Sequence, residues 1–251
     1  MANPFYTSGE RESTAVNVQG NTEGIVIAID GPSGSGKSST SRGVAKARGL
    51  RYLDTGAMYR ALTWWMLDQG VDVSDAAAVA AVVDGPVLTM GTDPDGPSVA
   101  VDGRDVAVEI RGEDVTGNVS AVSAVPEARE RLVRTQREII AAARAESAGI
   151  VVEGRDITTV VAPEAPVKLF LTASAEARAA RRSKEVRTTD VAGTQADLAR
   201  RDALDSSRKA SPLTQTADAT ELDTTGLDLG QVITLVVGLA DAARSTVTAA
   251  E

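Results

Sequence analysis

A chain of 251 residues fits one enlarged domain, or a domain carrying a smaller insert, and is cramped for two independent ones. Apolar residues make up 43% and charged residues 24%, a globular balance, but only 3% is aromatic, so the core has to be aliphatic. The chain has no Cys and no His, which excludes disulfides, Cys/His zinc sites, Ser-His-Asp and Cys-His nucleophiles and imidazole chemistry, and its formal charge of −9 argues against a sequence-independent grip on nucleic acid.

Residues 1–24 are polar and aperiodic, a flexible leader without the basic-then-apolar layout of a secretory signal. No apolar run reaches the roughly 18–20 residues of a membrane helix, so a soluble, cytoplasmic protein is expected. Ile25 to Ile29 is an unbroken apolar run, the pattern of a strand buried on both faces; Asp30 and a Gly/Ser loop follow, then a helix of about ten residues from Ser38. Arg51–Asp54 reads as a short strand, Ala57–Asp68 as a helix with Met58, Leu62, Trp65 and Met66 at helical spacing, and Asp75–Val83 as a helix ending at Gly85-Pro86. Alternating apolar residues around Asp95-Gly96 and Asp102-Gly103 predict a three-stranded antiparallel insert over residues 86–110. Helical texture resumes near Glu113, and Pro126 suits the first turn of a long helix to about Glu146.

Ile150–Val152 and Val167–Leu171 are further buried strands. Helices near Ala175–Lys184 and Gln195–Lys209 flank a mobile connector at Thr188–Thr194, Glu221–Asp223 is an edge strand, and a last helix runs from Asp228 to about Arg244. The alternation predicts an α/β fold, a parallel sheet flanked by helices with ligands at the carboxyl ends of its strands.

Gly31-Pro32-Ser33-Gly34-Ser35-Gly36-Lys37-Ser38 fits G-x-x-x-x-G-K-[ST] at every fixed position, between a buried strand and a helix. Small residues let successive N–H groups turn toward phosphate oxygens, Lys37 would reach the β- and γ-phosphates, and the Ser38 hydroxyl would ligate Mg²⁺. A chance Gly/Ser turn is the weaker reading in that context. No Asn-Lys pair occurs for a guanine reader, and Glu153 continues as Gly154-Arg155-Asp156 rather than as the Asp-Glu of a mechanical ATPase; small-molecule phosphoryl transfer remains.

If the acceptor is itself a phosphate, its second pKa near 6 leaves the attacking oxygen deprotonated at pH 7, so no general base is needed. The difficulty is then the repulsion between two anions, and the site needs Mg²⁺, Lys37 and several arginines. Residues 176–209 hold nine Lys/Arg against six Asp/Glu, a local excess suited to a compact anion. Arg129, Arg131, Arg134 and Arg137 interleave with glutamates and read as a solvated helix face, Arg129 excepted; Arg178, Arg181 and Arg182 read equally as surface or site. Gly154-Arg155-Asp156 ends a buried strand and so reaches the ligand edge, whereas Gly103-Arg104-Asp105 lies in a hairpin turn. Asp30 either supports the metal's water shell or caps the loop.

Taken with Leu53-Asp54-Thr55-Gly56-Ala57-Met58-Tyr59-Arg60, Ile110-Arg111, Ser120, Pro126, Arg129, and Arg201-Asp202 through Asp205 to Arg208 and Pro212, these motifs resemble the bacterial cytidylate kinases, from about Ile25 to Ala243. The resemblance implies a core of residues 25–55, 150–175 and 210–245, a monophosphate-binding region over 56–149 that contains the insert, and a mobile lid over 178–194. It implies ATP at Gly31, Pro32, Ser33, Gly34, Ser35, Gly36, Lys37, Ser38 and Ser39, with Mg²⁺ on Ser38. It makes Ser120, Arg129 and Asp156 cytosine readers, Arg201 and Asp205 ribose contacts, and Arg60, Arg155 and Arg208 phosphate contacts; Lys37, Arg155 and Arg208 serve the transfer itself. The roles of Arg178, Arg181, Arg182 and Arg187 stay open. Thr55 stands where the family often has Ser and keeps the hydroxyl, while Thr158 replaces a common Gly and is strained if that Gly has positive φ.

The expected activity is direct transfer from ATP to CMP or dCMP by a monomer, with no covalent enzyme intermediate and no polymer or membrane partner. The rival readings are a kinase for UMP, AMP or a hydroxylated metabolite, for which Asp156 or Glu153 would have to act as base, and a nucleotide-binding regulatory protein without turnover.

Overall fold

The computed structural model describes residues 24–146 and 148–248; of the expected leader, residues 1–23 lie outside the described residues. In chain order the elements are β1 (Val26–Asp30), α1 (Lys37–Arg48), β2 (Arg51–Asp54), α2 (Thr55–Asp68), α3 (Ala76–Val82), β3 (Leu88–Met90), β4 (Val99–Val101), β5 (Arg104–Asp105), α4 (Glu113–Ala124), α5 (Pro126–Ala145), β6 (Ile150–Glu153), β7 (Val167–Thr172), α6 (Ala175–Val186), α7 (Val191–Ser207), β8 (Thr220–Asp223) and α8 (Leu229–Thr248). A wide turn at Ile157–Val161 follows β6. No described helix is long and apolar enough to cross a membrane.

Five strands pair in parallel in the order β2-β6-β1-β7-β8, with Ile27 opposite both Val151 and Val167. The unbroken apolar run of β1 follows from its central place, because both faces are covered. Val26 and Ala28 join Leu53, Met58, Leu62, Leu132, Ile150 and Val152 in one core layer, while Ile27 and Ile29 join Val44, Val151, Leu169, Val232 and Val236 in the other. Parallel strands need crossovers, and the helices that supply them cover the two faces.

The insert forms as expected, an antiparallel sheet β3-β4-β5 with Leu88 opposite Val101. Val99, Val101 and Val106 pack on Ala57 and Ala61 of α2. Its β3–β4 loop folds over the open edge of β2, where the Tyr52 N–H donates to the Thr92 carbonyl at 2.9 Å. Arg42 of α1 donates to Pro94 O at 3.2 Å, and Lys46 pairs with Asp95 at 2.6 Å.

Two expectations change. The connector between α6 and α7 is shorter than Thr188–Thr194, because the Asp190 carboxylate accepts the Gly193 N–H at 2.8 Å and starts α7 at Val191. The arginines of α5 are not simply a solvated face: Arg131 donates to the carbonyls of Val83 and Pro86 beyond α3, and Arg137 donates to Val160 O at 2.6 Å and Val161 O at 3.2 Å. These carbonyls end elements that lack further partners, and a long cationic side chain reaches them.

Of the two readings of Asp30 the structure selects the cap: the residue is fully buried and has both oxygens committed. Oδ1 accepts the Ile157 N–H at 2.9 Å, and Oδ2 accepts the Thr158 N–H and hydroxyl at 2.8 and 2.7 Å. It caps the loop after β6 and is not available to a metal's water shell. Thr158 does not take a positive φ, so the anticipated strain is absent, and its hydroxyl adds a bond that glycine could not make. Burial pushes the Asp30 carboxyl above its ordinary range, and the Thr158 and Ile157 donors oppose that shift. Asp30→Ala would leave three buried donors without an acceptor, so it should lower stability by about 3 kcal/mol or more. An unchanged urea midpoint would show that the loop is held by packing alone.

Candidate active site

The chain leaves β1 at the carboxyl edge of the sheet and turns directly into α1. Gly31 has φ +146°, and a Cβ there would stand 2.1 Å from the Leu171 carbonyl of β7, so no side chain fits. Gly36, at φ +90°, is the N-cap of α1 and makes no side-chain cap hydrogen bond, which leaves the first-turn N–H groups without a side-chain cap, the condition under which a helix start takes an anion. Lys37 bridges the loop, its Nζ donating to Pro32 O at 2.8 Å. Burial, with Arg155 adding to it, lowers the lysine to about 7, against the pull of Glu153, Asp30 and Asp202.

Behind the loop stands Glu153, the last residue of β6 and only 3% exposed. Its Oε2 accepts the Ser38 hydroxyl at 2.9 Å, its Oε1 accepts the Tyr52 hydroxyl, and its carbonyl accepts the Thr55 hydroxyl at 2.7 Å. Burial first, then neighbouring Asp54, pushes the carboxyl up to about 7; Lys37 and the two hydroxyls oppose that shift. The parallel register puts this carboxylate here, since Glu153 pairs with Asp54 of β2 and Ile29 of β1, so three strand ends converge on the loop.

A second group gathers where α2, α4, α5 and α7 meet the loop after β6. Arg129 and Asp156 form an ion pair with side chains 5% and 6% exposed; Arg129 also donates to Ser123 O at 3.1 Å and lies 5.4 Å over the Tyr59 ring. Arg155 donates to Asp205 Oδ2 at 2.9 Å, Gly31 O at 2.9 Å and Ser33 Oγ at 2.6 Å. Arg208 donates to Ser211 O at 2.8 Å and to Ser123 Oγ at 3.4 Å, and pairs with Asp205 at 3.6 Å. Arg60 donates to Thr116 Oγ1 at 2.9 Å and Ile110 O at 3.3 Å.

Both groups line one cavity of about 520 Å³. Ser33 to Thr40, Asp54, Thr55 and Glu153 line it together with Tyr59, Arg60, Ser120, Arg129, Arg155 and Asp156, and α6, α7 and the residue after α7 add Arg181, Arg182, Arg201, Asp205 and Arg208. Nine cations line this space against five carboxylates, so it is electropositive inside an acidic chain. Burial, reinforced by Arg201, lowers Arg60 to about 10; Arg201 and Arg208 shift the same way for the same first cause. The guanidiniums are held close enough to repel, which is the condition an anion relieves.

The sequence-predicted residues therefore converge, with exceptions. Gly31 and Pro32 do not line the cavity, and Thr55 lines it with its hydroxyl already given to the Glu153 carbonyl. Arg178 is bonded to the loop backbone instead of the cavity, while Arg181 donates to Thr224 Oγ1 at 2.8 Å and to Thr224 O at 2.5 Å. Arg187 ends α6 with φ +56°, away from the lining. The sequence assigns no site role to Tyr52, Tyr59 or Asp202, and names Glu153 only as the base of a rival hydroxyl acceptor. Glu153 carried a signal, a carboxylate ending a buried strand; Tyr52 and Tyr59 looked like ordinary core. Among the described residues no group of three or more acidic side chains could hold a metal ion by itself.

Residues 27–242 match the family described as cytidylate kinase. A cytidylate kinase of Streptomyces coelicolor is 59% identical over 221 residues, covering 88% of this chain and 94% of that protein. One of Streptomyces avermitilis is 57% identical with the same coverage, and one of Corynebacterium diphtheriae is 50% identical over 220 residues, covering 86% and 94%.

The raised carboxyl of Glu153 sets a sign for the pH dependence of the nucleotide-free protein. A folded-state pKa near 7 against an unfolded 4.5 gives stability that is fully present below 4.5 and lost as pH rises through 7. Lys37, lowered from 10.5 to about 7, contributes stability present above 10.5 and lost as pH falls through 7. Glu153→Gln should therefore lose less stability than the parent between pH 5 and 7. Parallel urea midpoints over that interval would show that Glu153 does not carry the effect.

Proposed function

The chain belongs to the cytidylate kinase family, and we propose that it transfers the γ-phosphoryl group of ATP to CMP and dCMP with the residues gathered around this cavity. It is a nucleoside monophosphate kinase, and the observation that carries the residue assignment is the buried Arg129–Asp156 pair, which lines the same cavity as Ser120 and Lys37. Cytosine presents an amino donor at N4 beside acceptors at N3 and O2. A carboxylate, a guanidinium and a hydroxyl complement that edge, as acidic side chains do for cytosine N4 in nucleic acids. Uracil would turn a carbonyl toward Asp156 at the same point.

The acceptor phosphate needs orientation, not deprotonation. Arg60, Arg155 and Arg208 would hold its oxygens, with Arg201 and Asp205 on the ribose. One acceptor oxygen then bonds to the γ-phosphorus as the bond to the β–γ bridging oxygen breaks, and that bridging oxygen leaves with the electron pair as part of ADP. No proton moves in this step, which suits a site without histidine. Lys37 and the α6–α7 arginines Arg181 and Arg182 would stabilise charge on the moving group, and α6–α7 would exclude water. Gly31, Pro32, Ser33, Gly34, Ser35, Gly36 and Ser39 would shape the triphosphate cradle.

Mg²⁺ fits the donors present. The Ser38 hydroxyl and the Glu153 carboxylate stand 2.9 Å apart at the loop, oxygen donors of the kind Mg²⁺ takes beside phosphates and water. Ser38 would bind it directly, with Glu153 orienting the hydroxyl. When bound, the ion supplies charge neutralisation on the triphosphate.

An ADP-release assay across a panel of monophosphates tests the reading. CMP and dCMP should support turnover well above UMP and AMP, and Lys37→Ala should lower kcat about a hundredfold or more while CMP affinity stays within about threefold. Equal turnover on all acceptors, or an unaffected Lys37→Ala enzyme, would refute it. Asp156→Asn should raise the KM for CMP about tenfold or more and narrow the margin over UMP; an effect on the KM for ATP alone would remove Asp156 from the base site.

A further inference from the structure

Asp202 of α7 reaches the phosphate loop from outside the cavity. Its Oδ1 accepts the Ser33 N–H at 3.1 Å, and its Oδ2 pairs with Arg178 near the start of α6. The same Arg178 nitrogen donates to the Ser33 carbonyl at 3.1 Å, and Arg178 Nε donates to Ala173 O at 3.2 Å. Both polar groups of the Ser33 main chain are thus gripped, one by the carboxylate and one by the guanidinium. The side chains of Arg178 and Asp202 are 13% and 18% exposed, which lifts the pair above the usual weakness of surface ion pairs. The loop also lies directly on α6, since a Cβ on Gly34 would come within 3.0 Å of Arg178 Cβ.

The contacts close a ring. Asp205, one turn along α7 from Asp202, accepts Arg155 Nε at 2.9 Å, and Arg155 Nη2 donates to the Ser33 hydroxyl at 2.6 Å. Asp202, Ser33, Arg155 and Asp205 therefore form one circuit closed through the helix backbone. A guanidinium fixed at Asp205 alone could swing about that contact; tied to Ser33 as well, and with Ser33 tied back to α7, it cannot.

We propose that Asp202 is a positioning residue for the transfer: by pinning the Ser33 main chain to α7, together with Arg178, it fixes the phosphate loop relative to Arg155. This rests on the reading of Arg155 as an acceptor-phosphate contact. Asp202 touches no substrate in this role, and its effect falls on alignment of the reacting groups, where small misplacements are costly.

The test compares Asp202→Ala and Asp202→Asn in the full chain, by steady-state kinetics and by hydrogen exchange of the nucleotide-free Ser33–Gly36 amides. Asp202→Ala should lower kcat about thirtyfold, leave the KM for CMP and for ATP within about threefold, and speed Ser33 exchange about tenfold. The amide oxygen of Asp202→Asn still accepts the Ser33 N–H, so both readouts should return to within about threefold of the parent. Parental kcat and exchange in Asp202→Ala would overturn the proposal. So would an Asn variant as impaired as Ala, a loss confined to the KM for ATP, or tighter ATP binding by Asp202→Ala, which would make the carboxylate a competitor of the phosphates. If the parent fails to phosphorylate CMP yet Ser33 exchange responds as stated, the pin stands and the assigned reaction falls. If neither occurs, both fall.

Discussion

Arginine side chains partly stripped of water face one another across the central cavity, and their mutual repulsion is the force that the surrounding structure has to contain. It does so in two ways. Carboxylates pair with some of the cations: Asp205 meets both Arg155 and Arg208, and Asp156 meets Arg129. Main-chain carbonyls take other donors, as Gly31 O does from Arg155, Ser211 O from Arg208 and Ser123 O from Arg129. A carbonyl fixes a guanidinium without cancelling its charge. The cavity therefore keeps an excess of cations over carboxylates in fixed positions, an electropositive surface suited to anions.

That field depends on strand ends brought into register. β1, β2 and β6 deliver Asp30, Asp54 and Glu153 to one edge of the sheet, and the three carboxylates do different work. Asp30 is spent on the backbone of the next loop, Asp54 accepts the Ala57 N–H at the start of α2, and only Glu153 turns toward Ser38. Which of them reaches Ser38 is decided by neighbours that are remote in the chain, 115 residues apart in the case of Ser38 and Glu153.

This explains what could be read in advance. The buried strands, the insert between Gly85 and Glu113 and the phosphate loop are patterns of adjacent residues, and each stands where periodicity and motif put it. That Arg129, Arg155, Asp156 and Arg208 line one cavity is legible because family motifs or strand-end logic single them out. Arg131 and Arg137 misled because their partners are carbonyls, which leave no mark in residue identity. Asp30 stands beside the phosphate loop in sequence, which leaves metal support and a loop cap equally open, because its hydrogen-bond partners lie 127 and 128 residues away. Asp202 belonged to a recognised motif, yet its contact with a main-chain N–H could only emerge from coordinates.

The insert has a second job that its size conceals. By lending the Thr92 carbonyl to the Tyr52 N–H and resting Pro94 and Asp95 on α1, its tip occupies an outer border of the parallel sheet. Unclaimed borders of that kind are templates for a stray strand from another molecule. Trimming the hairpin to a minimal scaffold would thus trade a smaller protein for one prone to self-association, and grafting a new recognition module is safer between β4 and β5, where Gly103 faces open space.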